Sequence, residues 1–578
     1  DLAIKGTKPN FDMLIAFAPV DLIPTLEKYD HEGNIYFNAV IKGPTSHGKQ
    51  PFIDVTFGAD EAFLENKLRG KKVDHLGFQG HFTNGEDRSF ETMEFSLTGM
   101  SAQLEKGNFK GSVLVKNFEA PELNMELDAD FNIDFLADFL NIDDIEDASG
   151  SVVLKMKFHD IIDLDHPENA LEDLNQAYFS EIKIANLKLA AGGLPAPLEN
   201  LDLHLVMNGK KATINQFEML LGQSDLSIKG DISNLPAIVH HTNIPVTAHL
   251  EMTSNVLDIT ELTKLSEKDS LGVDERIEDL SVGFTFVSSA KAFTESEYLP
   301  TGEFFIDNLH AQLKHYPHEL HDFHADILID ERDLKIVDFT GYIDKSDFHF
   351  NGLIHEYEFW MQPELNGDVD LDITLSSNLL KLEDVFSYQG ENYVPEDYRH
   401  EEFDGLKLHV NSSMHYKDSH LHAIDIDLDK LTAKMHFHPM RFENFTGRFH
   451  YEDEHLMVQK FHGKIGQTEF DMDMNYYLGN NIEVRKRDNH FGLKANYINV
   501  DELTNFKLNK KSNGDNDKVK TKADVPEHAE AFNIYELPFT DMTFDVKVDH
   551  FIQHRIDLKN INAKARTTQS HYLYIDTL

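Results

Sequence analysis

The chain has 578 residues, 53 basic against 101 acidic side chains for a formal charge of −48, and no cysteine. That excess of carboxylates argues against nucleic acid, whose binding runs on neutralisation by Lys and Arg, and against loose adhesion to anionic headgroups. Without cysteine there is no disulfide framework, thiol nucleophile or Cys-based metal site, and the length points to several domains or an array.

At the amino end, MLIAFAPV (13–20) is the longest apolar run, far short of the roughly 20 residues that cross a bilayer. The chain opens on Asp1 in mid-pattern and stops in YIDTL. It reads as a piece of a longer protein, with any anchor or targeting segment outside it.

From there the dominant signal is β. In ELNMELDADFNID (122–134), Leu123, Met125, Leu127, Ala129, Phe131 and Ile133 alternate with Asn124, Glu126, Asp128, Asp130 and Asn132. Leu201, Leu203, Leu205 and Met207 do the same, as do Leu226 and Ile228, Phe348 and Phe350, and Phe470, Met472 and Met474. Period-2 alternation with charge on one side predicts half-buried antiparallel strands. Turn signals such as MNGKK (207–211) and IDERD (329–333) separate them into hairpins.

The strands recur. FEMLLGQSDLSIKG (217–230), FTGYIDKSDFHFNG (339–352) and FHGKIGQTEFDMDM (461–474) stand 122 residues apart. Gly107, Gly230 and Gly352 are read as closing the phrase, with Met474 in the fourth slot. Short amphipathic inserts keep nearly the same period, beginning at Asp21, Asp134, Asp258, Leu380 and Asp501. Asp258 and Glu261 suit a capping box, and Leu262 with Leu265, or Leu136 with Phe139 and Leu140, share a helical face. Helices this short must pack on something, which suggests lids or rim pieces where the sheet is open. The expected division is 1–17 as the end of a preceding repeat, then repeats at 18–130, 131–254, 255–376 and 377–497, and a partial repeat at 498–578 carrying a polar linker at 510–530.

The expected fold is therefore all-β, mainly antiparallel, with short helical inserts, as an elongated repeat array. The apolar faces can meet as sandwiches, fill a β-helix core, or form an open groove that takes hydrocarbon. The twelve candidate groove residues are Leu123, Met125, Leu127, Leu201, Leu203, Leu205, Leu226, Ile228, Phe348, Phe350, Phe470 and Met472.

Segments 194–232 and 320–352 resemble the AsmA-like family in its Bacteroidota-type form. They share its L-x-N-L strand opening and its G-x-S/T-D/E-φ-x-φ-x-G hairpin return. KIANLKLAAGGLP (183–195) and HYLYIDTL (571–578) resemble that family's strand-to-AGG passage. The chain departs from the pattern at Met474 and at Asp344, where sister copies have Gly222 and Gly466. The resemblance implies an envelope protein of the AsmA and TamB kind, anchored in the inner membrane outside this chain and extending through the periplasm. It implies phospholipid or another acyl-chain lipid as cargo, a part in outer-membrane assembly or integrity, and no catalytic residues or cofactor to carry over.

Other motifs are weaker. His315, His318, His321 and His324 are spaced like metal ligands but are read as a solvent-facing run. Asp368/Asp370/Asp372 and Asp425/Asp427/Asp429 stand roughly 7 Å apart along strands, too spread for a calcium cage. No G-x-S-x-G elbow, P-loop or dinucleotide fingerprint occurs, so an enzyme is not expected. The rivals are a structural or adhesive β array with sealed faces and a secreted hydrolase module.

Overall fold

A computed structural model describes the chain except for 13–27, 45–49, 141–144, 162–178, 262–274, 361–365, 395–398, 437–440, 504–540, 569–571 and scattered single or paired positions. The Asp21 insert, Leu262, Leu265, the apolar run at 13–20 and the polar segment 510–530 lie outside the described residues. The chain divides into two compact units, Asp1–Lys314 and His315–Leu578, a boundary that falls inside the third expected repeat.

In the first unit every strand pairs antiparallel with its sequence neighbour, from Leu2–Lys8 to Gly302–Leu313. Both predicted hairpins form, Asn208 facing Lys211 here and Ile329 facing Leu334 in the second unit. The second unit is a similar meander from Glu319–Ile329 to Leu573–Thr577, with a small two-stranded ladder at Ser387–Tyr388 and Glu391–Asn392. One pairing there is parallel, His490–Asn499 with Met542–Gln553. No described pairing closes either unit on itself. Each is all-β, mainly antiparallel and open, as the alternation requires.

Because directly paired residues share a face, the register shows how apolar positions line up. One line in the first unit runs Ala102, Phe109, Ala129, Leu154, Ile182, Leu205, Ile214, Gly230, Leu250, Phe284 and Ile306. In the second unit Ala325, Phe339, Phe350, Leu375, Leu408 and Leu431 form such a line.

The ladders are broken by bulges, where one strand carries extra residues and bends. Left-handed residues sit at many of them, among them Glu61, His75, Asp279, Asp322, Asn444 and Lys460. The buried clusters lie beside these bulges, where alanines permit close approach: Ile35 with Ala59 and Ala62 in mid-strand, and Leu280 with Ala311 and Leu406 with Ala433 nearer the strand ends.

Helices cap those ends. Strand Glu122–Asn132 runs directly into helix Ile133–Leu140, so Ile133 belongs to the helix and not the strand. Its buried residues are Phe135, 1% exposed against Val73 and Ala102, and Ala137; Leu140 is 50% exposed. Of the face expected to bury, Leu136/Phe139/Leu140, Phe139 stacks on Phe135 (5.7 Å) and packs against the same cluster, whereas Leu140 stays exposed, because the helix leaves the strand with Phe135 already pointing into the bulged end. Strands Gly367–Lys381 and His490–Asn499 end likewise in helices Leu382–Val385 and Val500–Leu503. At the opposite strand ends lie short helices the sequence pattern did not announce: Leu235–Val239, Ala290–Glu295, Tyr357–Trp360 and Ile482–Asp488. There Phe293 stacks on Phe286 with ring centres 4.7 Å apart.

Candidate functional site: an open apolar face and its latches

All twelve candidate groove residues fall in the half-buried class; none is sealed and none is fully exposed. Leu203 is paired with Ile184 and Phe217, Met125 with Val113 and Phe158, and Ile228 with Met252, so each sits among apolar neighbours on its own face. Aromatic rings crowd the same face. Phe348 lies 5.3 Å from Phe323 and 5.5 Å from Phe339, and Phe470 lies 5.8 Å from Phe445. Full burial of such a side chain is worth roughly 1.5–3 kcal/mol. Half-burial leaves on the order of 1 kcal/mol per residue to be gained by anything apolar that covers it.

The opposite face is charged and internally paired. In the first unit Glu181 is held below the usual carboxylate range by hydrogen bonds from Lys183 (2.7 Å) and His204 (3.0 Å). In the second, the two aspartate triplets face histidines across the strands: Asp368–His415 (2.8 Å), Asp372–His409 (3.0 Å) and Asp425–His450 (2.6 Å), with Asp427–Arg448 (2.8 Å). These carboxylates already have partners, so they do not converge on a cation.

The repeated dipeptide acquires a role. Ser224 Oγ donates to Glu261 (3.0 Å) and accepts from the Asp258 amide (3.1 Å). Ser346 Oγ donates to Asp384 (2.9 Å) and accepts from the Lys381 amide (2.9 Å). Next to them, Asp225 accepts from the amides of Asn255 (3.1 Å) and Val256 (2.7 Å), and Asp347 from those of Asn378 (3.1 Å) and Leu379 (2.8 Å). Each Ser-Asp pair thus ties a hairpin turn to the following strand end and helix start. Burial opposes ionisation of Asp225, but these amide donors win and hold its carboxyl below the ordinary value. Asp258 does cap through Glu261 N–H (3.0 Å), yet Glu261 reaches to the Gln223 amide and Ser224 instead of completing a capping box.

Two readings of the sequence are corrected. Gly107 opens its strand, whereas Gly230 and Gly352 lie seventh in theirs. A Cβ at Gly352 would meet the Asp372 carbonyl oxygen at 2.7 Å, so glycine there admits the neighbouring strand. The histidine run does not face solvent uniformly. His318 is turned inward, its side chain 14% exposed, with Nδ1 2.7 Å from Asp344; His321 bonds the Asp344 carbonyl oxygen (2.8 Å) and stacks on Tyr342.

No helix among the described residues is long and apolar enough to cross a membrane. No family model matches this chain, and no similar curated protein or solved structure was found.

Proposed function

We propose that the chain binds lipid acyl chains along the apolar face of its open sheets and acts in moving phospholipid between membranes, in outer-membrane assembly, or both. Like the AsmA-like proteins whose repeats it resembles, it would work in the periplasm, tethered by a segment outside this chain. The observation that carries this reading is the state of the groove residues: continuous apolar lines, half-buried, with no described layer sealing them. A straight hydrocarbon laid across such lines gains about half of the roughly 0.8 kcal/mol available per methylene, so ten methylenes contribute on the order of 4 kcal/mol. The charged face, by contrast, keeps its side solvated. Short helices at both strand ends would bound the groove sideways.

The experiment is native mass spectrometry of the purified chain after incubation with phosphatidylethanolamine micelles. Retained lipid, in more than one copy per chain, is the expected result. A chain that emerges lipid-free at every micelle concentration would support the structural rival instead.

A further inference from the structure

Among the described residues, one group of three ligand-type side chains converges: His318, Asp344 and Asp384, with one donor atom of each within 4.8 Å of the others. They come from the lead into strand Glu319–Ile329, from the hairpin turn before strand Ser346–His355, and from helix Leu382–Val385. From this convergence we propose that the second unit carries a zinc site at the latch, with His318, Asp344 and Asp384 as ligands and the remaining position open to water.

The repeat supplies the comparison. At the preceding latch the places of His318 and Asp344 are taken by Ala196 and Gly222, which lie beside Glu261 as the pair here lies beside Asp384. That latch closes with one carboxylate and no imidazole. Nothing in holding the hairpin to the helix therefore demands a histidine and a second acid. Asp344 also adopts φ +51, the left-handed conformation for which Gly222 (φ +55) and Gly466 (φ +57) are suited. A carboxylate is kept where glycine is the easier residue.

The surroundings favour a cation. Asp384 is buried and takes a single side-chain donor, Ser346. The Tyr316 hydroxyl donates to the Asp384 carbonyl oxygen (2.5 Å) and so helps fix the start of the helix that carries Asp384. One imidazole facing two carboxylates makes an acid-rich, partly buried pocket. His318 presents Nδ1 to Asp344 at 2.7 Å, while its Nε2 is buried with no hydrogen-bond partner. Zinc takes such nitrogen and carboxylate oxygen ligands at about 2.0–2.2 Å, which sets tetrahedral ligands roughly 3.4 Å apart. To reach that value the His318–Asp344 pair, now 2.7 Å apart, must open, and any separation beyond it, up to 4.8 Å, must close. Bound there, the ion joins a turn, a strand start and a helix far apart in sequence, and its binding energy adds to the stability of the folded state.

The test uses the purified chain with Co2+ as a visible probe and Zn2+ as competitor. The expected result is a saturable d–d absorption at one Co2+ per chain, bleached by Zn2+, and slower amide exchange over 382–385 with Zn2+ present. His318→Ala combined with Asp344→Gly installs the sister latch's own residues, so the variant should fold with unchanged circular dichroism. Loss of even an outer partner weakens a metal site about 10–100-fold, so losing two ligands should weaken this one by about 100-fold or more. His415→Ala, on the charged face, should leave the absorption intact. The proposal is overturned if the wild-type chain shows no one-to-one saturation, if the double variant binds Co2+ as tightly, or if His415→Ala abolishes the signal instead.

Discussion

His415 stands between Asp368 (2.8 Å) and Asp425 (3.5 Å) on the charged face of the second unit. The hydrogen bond that His415 donates to Asp368 raises its pKa above the ordinary histidine value; partial burial works the other way, and Asp425 adds to the rise. The folded chain therefore holds this proton more tightly than the unfolded chain. The contribution to stability is complete below the unfolded value near ~6.5 and fades as pH climbs through the higher folded value. Histidine titration by NMR should place His415 above free imidazole, and Asp368→Asn should bring it down; an unmoved titration would show that Asp368 is not its main partner. The pair is partly solvated, so salt should weaken the effect. At the same scale His349, which the alternation places on the wet side, is engaged with Asp338 at 2.6 Å.

The element scale is governed by the latches and the helix plugs. Ser346 is 0% exposed and serves Asp384 and the Lys381 amide at once. Ser346→Ala leaves a buried carboxylate and the half-buried Lys381 amide short of a partner, a loss of about 1–3 kcal/mol. Denaturant unfolding should show that loss, and hydrogen exchange should place it at 377–386 with the far strands of the unit still protected. Protection lost evenly across the unit would mean the latch belongs to a shared core. Phe135→Ala should cost more, about 3–5 kcal/mol, because the ring fills the space over Val73 and Ala102. Leu140→Ala, on the exposed side of the same helix, should cost under ~1 kcal/mol. Equal losses for the two would contradict the helix orientation.

At the scale of the whole molecule the decisive matter is whether the apolar face works open. Phe350 lies in line between Phe339 and Leu375. In a sealed core, Phe350→Asp would bury an unpaired charge and cost several kcal/mol, enough to unfold its surroundings. On an open face the carboxylate is hydrated, so the melting temperature should fall only by a few degrees while bound lipid is lost. Asn351→Asp is the matched control for the opposite side, since His349→Asp would set a carboxylate against Asp338. It should keep both stability and lipid. Unfolding of Phe350→Asp, or equal lipid retention by the two variants, would sink the groove reading. The net charge of −48 belongs to this scale as well: it keeps the face away from the groove wet and discourages sheets of separate copies from stacking.

What the sequence determined by itself was local and periodic. Side chains one apart on a strand point oppositely, so alternation alone sorted Leu123, Met125 and Leu127 from Glu126 and Asp128, and the turn residues at 207–211 and 329–333 marked real hairpins. Spacing of the inserts located helices at 133–140, 382–385 and 500–503. The tertiary structure decided whatever depends on partners distant in sequence. It chose Phe135 over Leu136 and Leu140 as the plug, since the choice rests on bulged strands some 30 to 60 residues earlier. It made the Ser-Asp phrase a latch, through bonds spanning 30 to 38 residues. It turned His318 from a presumed wet position toward Asp344 and Asp384. It added a second row of short helices whose sequences, such as YEFW at 357–360, carry no repeated cap. Alternation reports which side a residue faces. Only the register of distant strands decides what it meets there.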